Sequence, residues 1–164
     1  MMKLAFSTNA FVKYSLESAI TKIANTGYNA VEILADKPHA FFPMRKNKVL
    51  NIKKALKKNN VKVSNINANT ATGFFDHGIC DDPFEPSLSG NDEDRRRWRI
   101  NYTKQAIDFA AVINANNISV TSGRSVHKGR KESMERFIDS MHELVKYASA
   151  RKINIGMSMN QACL

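Results

Sequence analysis

The side chains equipped for chemistry collect in and just after three apolar runs. Glu32 stands inside the run AVEIL (30–34), Asp36 follows it, and His39 lies in the segment PHAFFP. Asn65 and Asn67 belong to VSNINAN (63–69), and the long polar segment FFDHGICDDPFEPSLSGND (74–92) adds Asp76, His77, Asp81 and Asp82. Carboxylates and imidazoles are the groups that transfer protons near neutral pH, and amides bind hydroxyls. Glu32, between Val31 and Ile33, either lines an interior or pairs with a lysine, and Asn67 is placed to offer an amide to a substrate. Taken alone, His39 and His77 read as hydrogen-bonded loop residues. After a further apolar run, SGRSVHKGRK (122–131) presents Ser122, Gly123 and Arg124, a combination of backbone amides and guanidinium that suits an oxyanion.

Several chemistries have no support. There is no G-x-G-x-x-G, no G-x-x-x-x-G-K-[ST] and no nucleophile elbow. Cys80 and Cys163 lack metal-ligand or redox spacing and read as reduced structural thiols. A net charge of +10 invites an acidic partner, yet the charge is unevenly placed. No acidic residue occurs from Lys37 to Phe75, and most of the lysines there fall on NKVLNIKKALKKNN, whose Val49, Ile52 and Leu56 form an apolar stripe. The lysines then make a solvated outer face, and no aromatic residue interleaves with them as a single-strand binder would need. RRRWR (95–99) follows Asp92, Glu93 and Asp94 at spacings that allow ion pairs along one helix, so nucleic acid is not an expected partner. His142 beside Met141 in an amphipathic helix reads as structural. MMKLAFSTNAF is neither a signal peptide nor a membrane span, which makes the cytoplasm the expected location.

Apolar periodicity supplies the elements that must position these groups. KLAFST (3–8), AVEIL (30–34), VKVSNIN (61–67), NISVT (117–121) and KINIGM (152–157) read as strands. In the last, Ile153, Ile155 and Met157 alternate like buried strand positions. A helix begins after Ser15 as N-cap and stops at Gly27, the lysine-rich helix follows the second strand, and Asn91 is placed to cap a third running to about Asn114. A fourth, from about Lys131 to Ala150, carries Met134, Phe137, Ile138, Met141, Leu144, Val145 and Ala148 at helical spacing. Strands separated by helices pair in parallel through right-handed crossovers, so the class is α/β. With 43% hydrophobic and 24% charged residues, 164 residues fit one domain. Length favours an open sheet over a (β/α)8 barrel, which usually needs about 250 residues.

The ordered motifs point the other way. GYNAVEILADKPHAFFP (27–43), VSNINAN (63–69), RRRWRINYTKQAIDFAA (95–111) and NNIS (116–119) together resemble the xylose isomerase-like TIM-barrel family, the group of sugar phosphate isomerases and epimerases with abasic-site endonucleases as relatives. The resemblance runs from about Met2 to Met157. It implies a partial (β/α)8 TIM barrel, about five parallel strands with four helices, forming a single domain over 1–164 that stops after strand five.

The resemblance also implies a chemistry. Such enzymes use a divalent metal (Mg, Mn, Zn or Co) at the C-terminal face of the barrel to polarise a sugar carbonyl while a carboxylate moves a proton between adjacent carbons. The first metal-binding Glu of the family falls on Ser158, and the next acid often found there falls on Asn160, so the metal is doubtful in this chain. His39 and His77 match loop histidines near substrate or metal, and with Glu32 and Asn67 they form the expected substrate-binding set. Two functions follow: a sugar or sugar phosphate isomerase or epimerase relative, inactive as this chain alone, and a non-catalytic half-barrel that binds a small polyol or a protein partner. Abasic-site DNA binding is a weaker third. Unpaired edges on strands one and five imply a homo-oligomer or a complementing barrel half.

Overall fold

The computed structural model describes residues 4–75, 82–123 and 129–158. His77, Asp76, Asp81, both cysteines, Arg124, His127 and Asn160 lie outside them. Five strands, β1 (Ala5–Ser7), β2 (Ala30–Leu34), β3 (Lys62–Asn67), β4 (Asn117–Val120) and β5 (Asn154–Met157), alternate with four helices, α1 (Leu16–Asn25), α2 (Lys46–Lys58), α3 (Glu93–Val112) and α4 (Arg130–Ser149). All neighbouring strands are parallel and their order is β1-β2-β3-β4-β5. This is the progression of half a (β/α)8 barrel, with one helix after each of the first four strands.

Local chemistry sets the boundaries. Ser15 accepts the Ser18 N–H to start α1, and Gly27 adopts φ +92° just after the helix, where a side chain would be strained. α3 is capped by Asp92, not by Asn91 as the spacing suggested: its carboxylate takes the Arg95 N–H at 3.0 Å. A carboxylate satisfies the orphan N–H and also meets the positive end of the helix dipole.

The sheet has two unlike faces. Val31, Ile33, Ile66, Ile118 and Val120 are fully buried against the helices, packing with Ile20, Ile52, Ile107 and Leu144. The opposite face carries Glu32, Asn65, Asn67 and Ser119, all half-buried. Ile153, just before β5, is buried and Ile155 half-buried, but Met157 is 48% exposed, so the expected burial of all three stops short of the strand's end.

The basic segments sort as follows. Lys46, Lys53, Lys54, Lys57 and Lys58 are exposed on α2, as its apolar stripe implied. In RRRWR, among the described residues only Arg95 forms an ion pair along its own helix, with Asp92 at 3.5 Å. Arg97 reaches across to Glu143 on α4 at 2.7 Å, where Lys104 joins it at 2.6 Å. Lys104 and Arg97 hold the Glu143 carboxyl below the usual carboxylate range. Arg99 is not on the surface at all, being 1% exposed. His142 is exposed on α4.

Candidate functional site

The polar sheet face is organised around one carboxylate. Between β2 and β3 the pairing shifts: Val31 opposes Val63, but Glu32 opposes Asn65 and Leu34 opposes Asn67. The extra residue, Ser64, donates its hydroxyl to the Val31 carbonyl. Such a bulge changes which side chains share a face. Here it brings both asparagines beside Glu32. Asn65 Nδ2 donates to Glu32 Oε2 at 2.8 Å and to Ser119 Oγ at 2.9 Å, and Asn67 Nδ2 donates to Glu32 Oε1 at 3.2 Å. Asn67 Oδ1 in turn accepts the Asn69 N–H at 3.2 Å. Three strands therefore contribute one connected set, an acceptor-rich carboxylate flanked by amides and a hydroxyl, which is the inventory that recognises hydroxyl groups.

At the next position across the sheet, Ser119 pairs with Gly156, and Ser158 donates its N–H to the Val120 carbonyl at 2.8 Å. Ser158 thus stands at the end of β5, next to β4, and supplies no charge.

His39 belongs to a different environment. It is fully buried, Nε2 faces the Phe11 and Tyr14 carbonyls at 3.3 and 3.2 Å, and Nδ1 lies 3.1 Å from Thr8 Oγ1. Carbonyls only accept, so Nε2 carries the proton and Nδ1 accepts from the Thr8 hydroxyl. That hydroxyl oxygen also accepts the Leu34 N–H at 3.0 Å, linking the ring to the end of β2. Both ring nitrogens are thereby engaged in holding the β1–α1 connection to β2. Asp36 is likewise built in, at 1% exposure.

Burial pushes the His39 pKa below 6.5, against the pull of the Tyr14 and Phe11 carbonyls. The unfolded imidazole takes up a proton near 6.5 and the folded one resists it, so stability is full above that value and falls as the pH drops toward the lower folded pKa. Urea unfolding at pH 7.5 and 5.5 should show the loss, and His39→Gln should flatten it. An unchanged midpoint in the parent protein would refute this placement of the charge.

The described residues do not fit a divalent metal. Among them no three His, Cys, Asp or Glu side chains come together. Glu32 stands alone, and both its oxygens face amide N–H donors, the wrong polarity of neighbour for a cation shell built from oxygens.

A family profile described as a xylose isomerase-like TIM barrel matches residues 20–159. The chain belongs to this family. Solved structures similar to this family member include a D-tagatose 3-epimerase-like protein (TM-score 0.75, 19% identity, 99% of this chain and 56% of that one). Also similar are a 3-keto-D-glucoside 4-epimerase from E. coli (0.72, 15%, 99% and 58%) and an AP endonuclease, family 2, from Brucella melitensis (0.69, 18%, 96% and 55%). At these identities the likeness is one of fold, and the chain spans just over half the length of each. No protein of curated function matches the chain in sequence. Among the described residues no helix is long and apolar enough to cross a membrane.

Glu32 and Asn67 of the expected set come together, His39 is packed elsewhere, and Asn65 proves as central as Asn67. Ser119 joins the set as a further member. Its signal is in NISV: Ile118 and Val120 face the helices, so the alternation of a strand turns Ser119 to the other side.

Proposed function

We propose that this chain provides the hydroxyl-binding wall of a sugar or sugar phosphate isomerase or epimerase-type barrel and does not isomerise sugars by itself. The observation that carries the reading is the Glu32 carboxylate held open on the polar sheet face by the Asn65 and Asn67 amides. Ketose hydroxyls would donate to Glu32 and to the Asn65 carbonyl oxygen, while Ser119 offers a donor or an acceptor. The proton transfer itself needs a carboxylate beside a polarised carbonyl. Ser158 provides neither, at the place where the family resemblance sets the first metal-binding Glu. The remaining groups would come from a complementing barrel half or a second copy.

The test uses the purified 164-residue chain with Mn2+ and D-fructose or D-tagatose. Side-chain amide resonances of Asn65 and Asn67 should shift at millimolar ketose, Glu32→Ala should abolish the shift, and no epimer should form. Turnover by the chain alone would overturn the reading, as would ketose-independent spectra.

A further inference from the structure

A cleft that shares no lining residue with the Glu32 wall opens between the segment leading into α3 and the first turns of α4. Its volume is ≈ 460 Å³, within the range of small-molecule sites. Two guanidinium groups on it are fixed by oxygens other than carboxylates. Arg96 Nη1 donates to the Gly90 carbonyl at 2.6 Å. Arg136 donates through Nε to the Ser89 carbonyl and through Nη2 to Ser133 Oγ, both at 3.0 Å. Among the described residues neither is in an ion pair. Each guanidinium has five N–H donors, so both are oriented with donors to spare.

Ser87 points to a ligand independently of the arginines. It is 3% exposed, it lines the cleft, and among the described residues its hydroxyl makes no hydrogen bond. The space around that hydroxyl is kept by glycine: a Cβ at Gly123 (φ +97°) would come within 2.8 Å of Ser87 Oγ, and one at Gly90 within 3.2 Å. The 20-residue α4 follows its N-cap Gly129, also on the cleft, and among the described residues no side chain caps its first N–H groups. Three carboxylates share the lining. Glu85 accepts the Ser87 N–H at 3.1 Å, Asp92 caps α3 and pairs with Arg95, and Glu132 lies in the first turn of α4.

We propose that this cleft binds the phosphate of a small phosphate monoester: Arg96 and Arg136 supply charge-assisted donors, Ser87 its free hydroxyl, and the α4 N-terminus its N–H groups. The site is independent of the polyol reading of the Glu32 wall. The 164-residue chain is titrated with inorganic phosphate and with glycerol 3-phosphate, with glycerol as the uncharged comparison. Both phosphates bind and glycerol does not.

Arg136→Gln and Arg96→Gln each weaken binding about tenfold, as loss of one charge-assisted hydrogen bond does. Ser87→Ala weakens it about threefold or more and leaves the Arg136–Ser89 contact in place, so it separates a lost site from a lost fold. Lys53→Gln/Lys54→Gln, on the exposed face of α2, leaves it unchanged. Affinity unaffected by Ser87→Ala and Arg96→Gln, affinity lost in the lysine variant, or no binding of either phosphate would each overturn the assignment.

Discussion

Replacing Asp36 with alanine is expected to lower the free energy of unfolding by about 4 kcal/mol, the scale of stripping a buried carboxylate from its donors. Five donors converge on this side chain. Oδ1 accepts the N–H groups of Lys37 (2.8 Å) and Gly73 (2.9 Å), while Oδ2 accepts the Thr72 N–H (2.8 Å) and the hydroxyls of Thr70 (2.7 Å) and Thr72 (2.9 Å). The carboxylate thus ties the end of β2 to the turn after β3, the connection that frames the Glu32 wall. Without it, part-buried main-chain N–H groups lose their acceptors and no rearrangement of alanine restores them. Asp36→Asn keeps the volume but sets an NH2 against N–H and O–H donors, so it should cost at least half as much. Urea unfolding with an unchanged m-value measures both. A loss below about 1 kcal/mol for the alanine variant would mean that water replaces the carboxylate.

The second large effect is at Arg99. Its Nη2 donates to the Ala68 carbonyl at 2.5 Å and to the Asn69 carbonyl at 3.0 Å, the first two carbonyls after β3. Nε and Nη1 are buried with no partner among the described residues. Burial lowers the pKa to about 10, with Tyr102 and Asp36 acting to raise it, so the group is charged at neutral pH. Arg99→Ala removes both carbonyl bonds, opens a cavity and deprives Asp36 of a cationic neighbour; the expected loss is about 3–5 kcal/mol. Arg99→Met retains most of the volume and removes the two orphan donors together with the charge, and it should cost less than half of that. Equal losses in the two variants would assign the whole effect to the carbonyl bonds. Because Asp36 and Arg99 act on the same turn, a double-mutant cycle should show less than additive loss.

Much of the architecture was legible because it rests on short-range physics. Ser15 before an apolar stripe, the 3.6 spacing of α4, and Ile118 and Val120 in β4 specify their elements without tertiary help. Arg99 was hidden by its company in RRRWR, although spacing marks it. It lies three, four, seven and eight positions before the buried Tyr102, Thr103, Ala106 and Ile107, on one helical stripe. The choice of Asp92 over Asn91 is a one-residue shift that spacing alone does not decide. His39 and the set around Glu32 were not legible in their contacts. The histidine is satisfied by Thr8, 31 positions away, and Asn65 faces Glu32 only because of the bulge at Ser64.

The strand order β1-β2-β3-β4-β5 carries a consequence for how the chain acquires its shape. Among the described strands, each one after β1 finds a hydrogen-bonding partner one βα unit earlier in the chain, so none of these pairings waits for a distant segment. Loop closure is correspondingly short for a parallel sheet, and its entropy grows only slowly with length. Synthesis delivers the strands in the order in which they pair. The sheet can therefore grow from β1 outward as the chain leaves the ribosome, each new unit docking on an edge already formed.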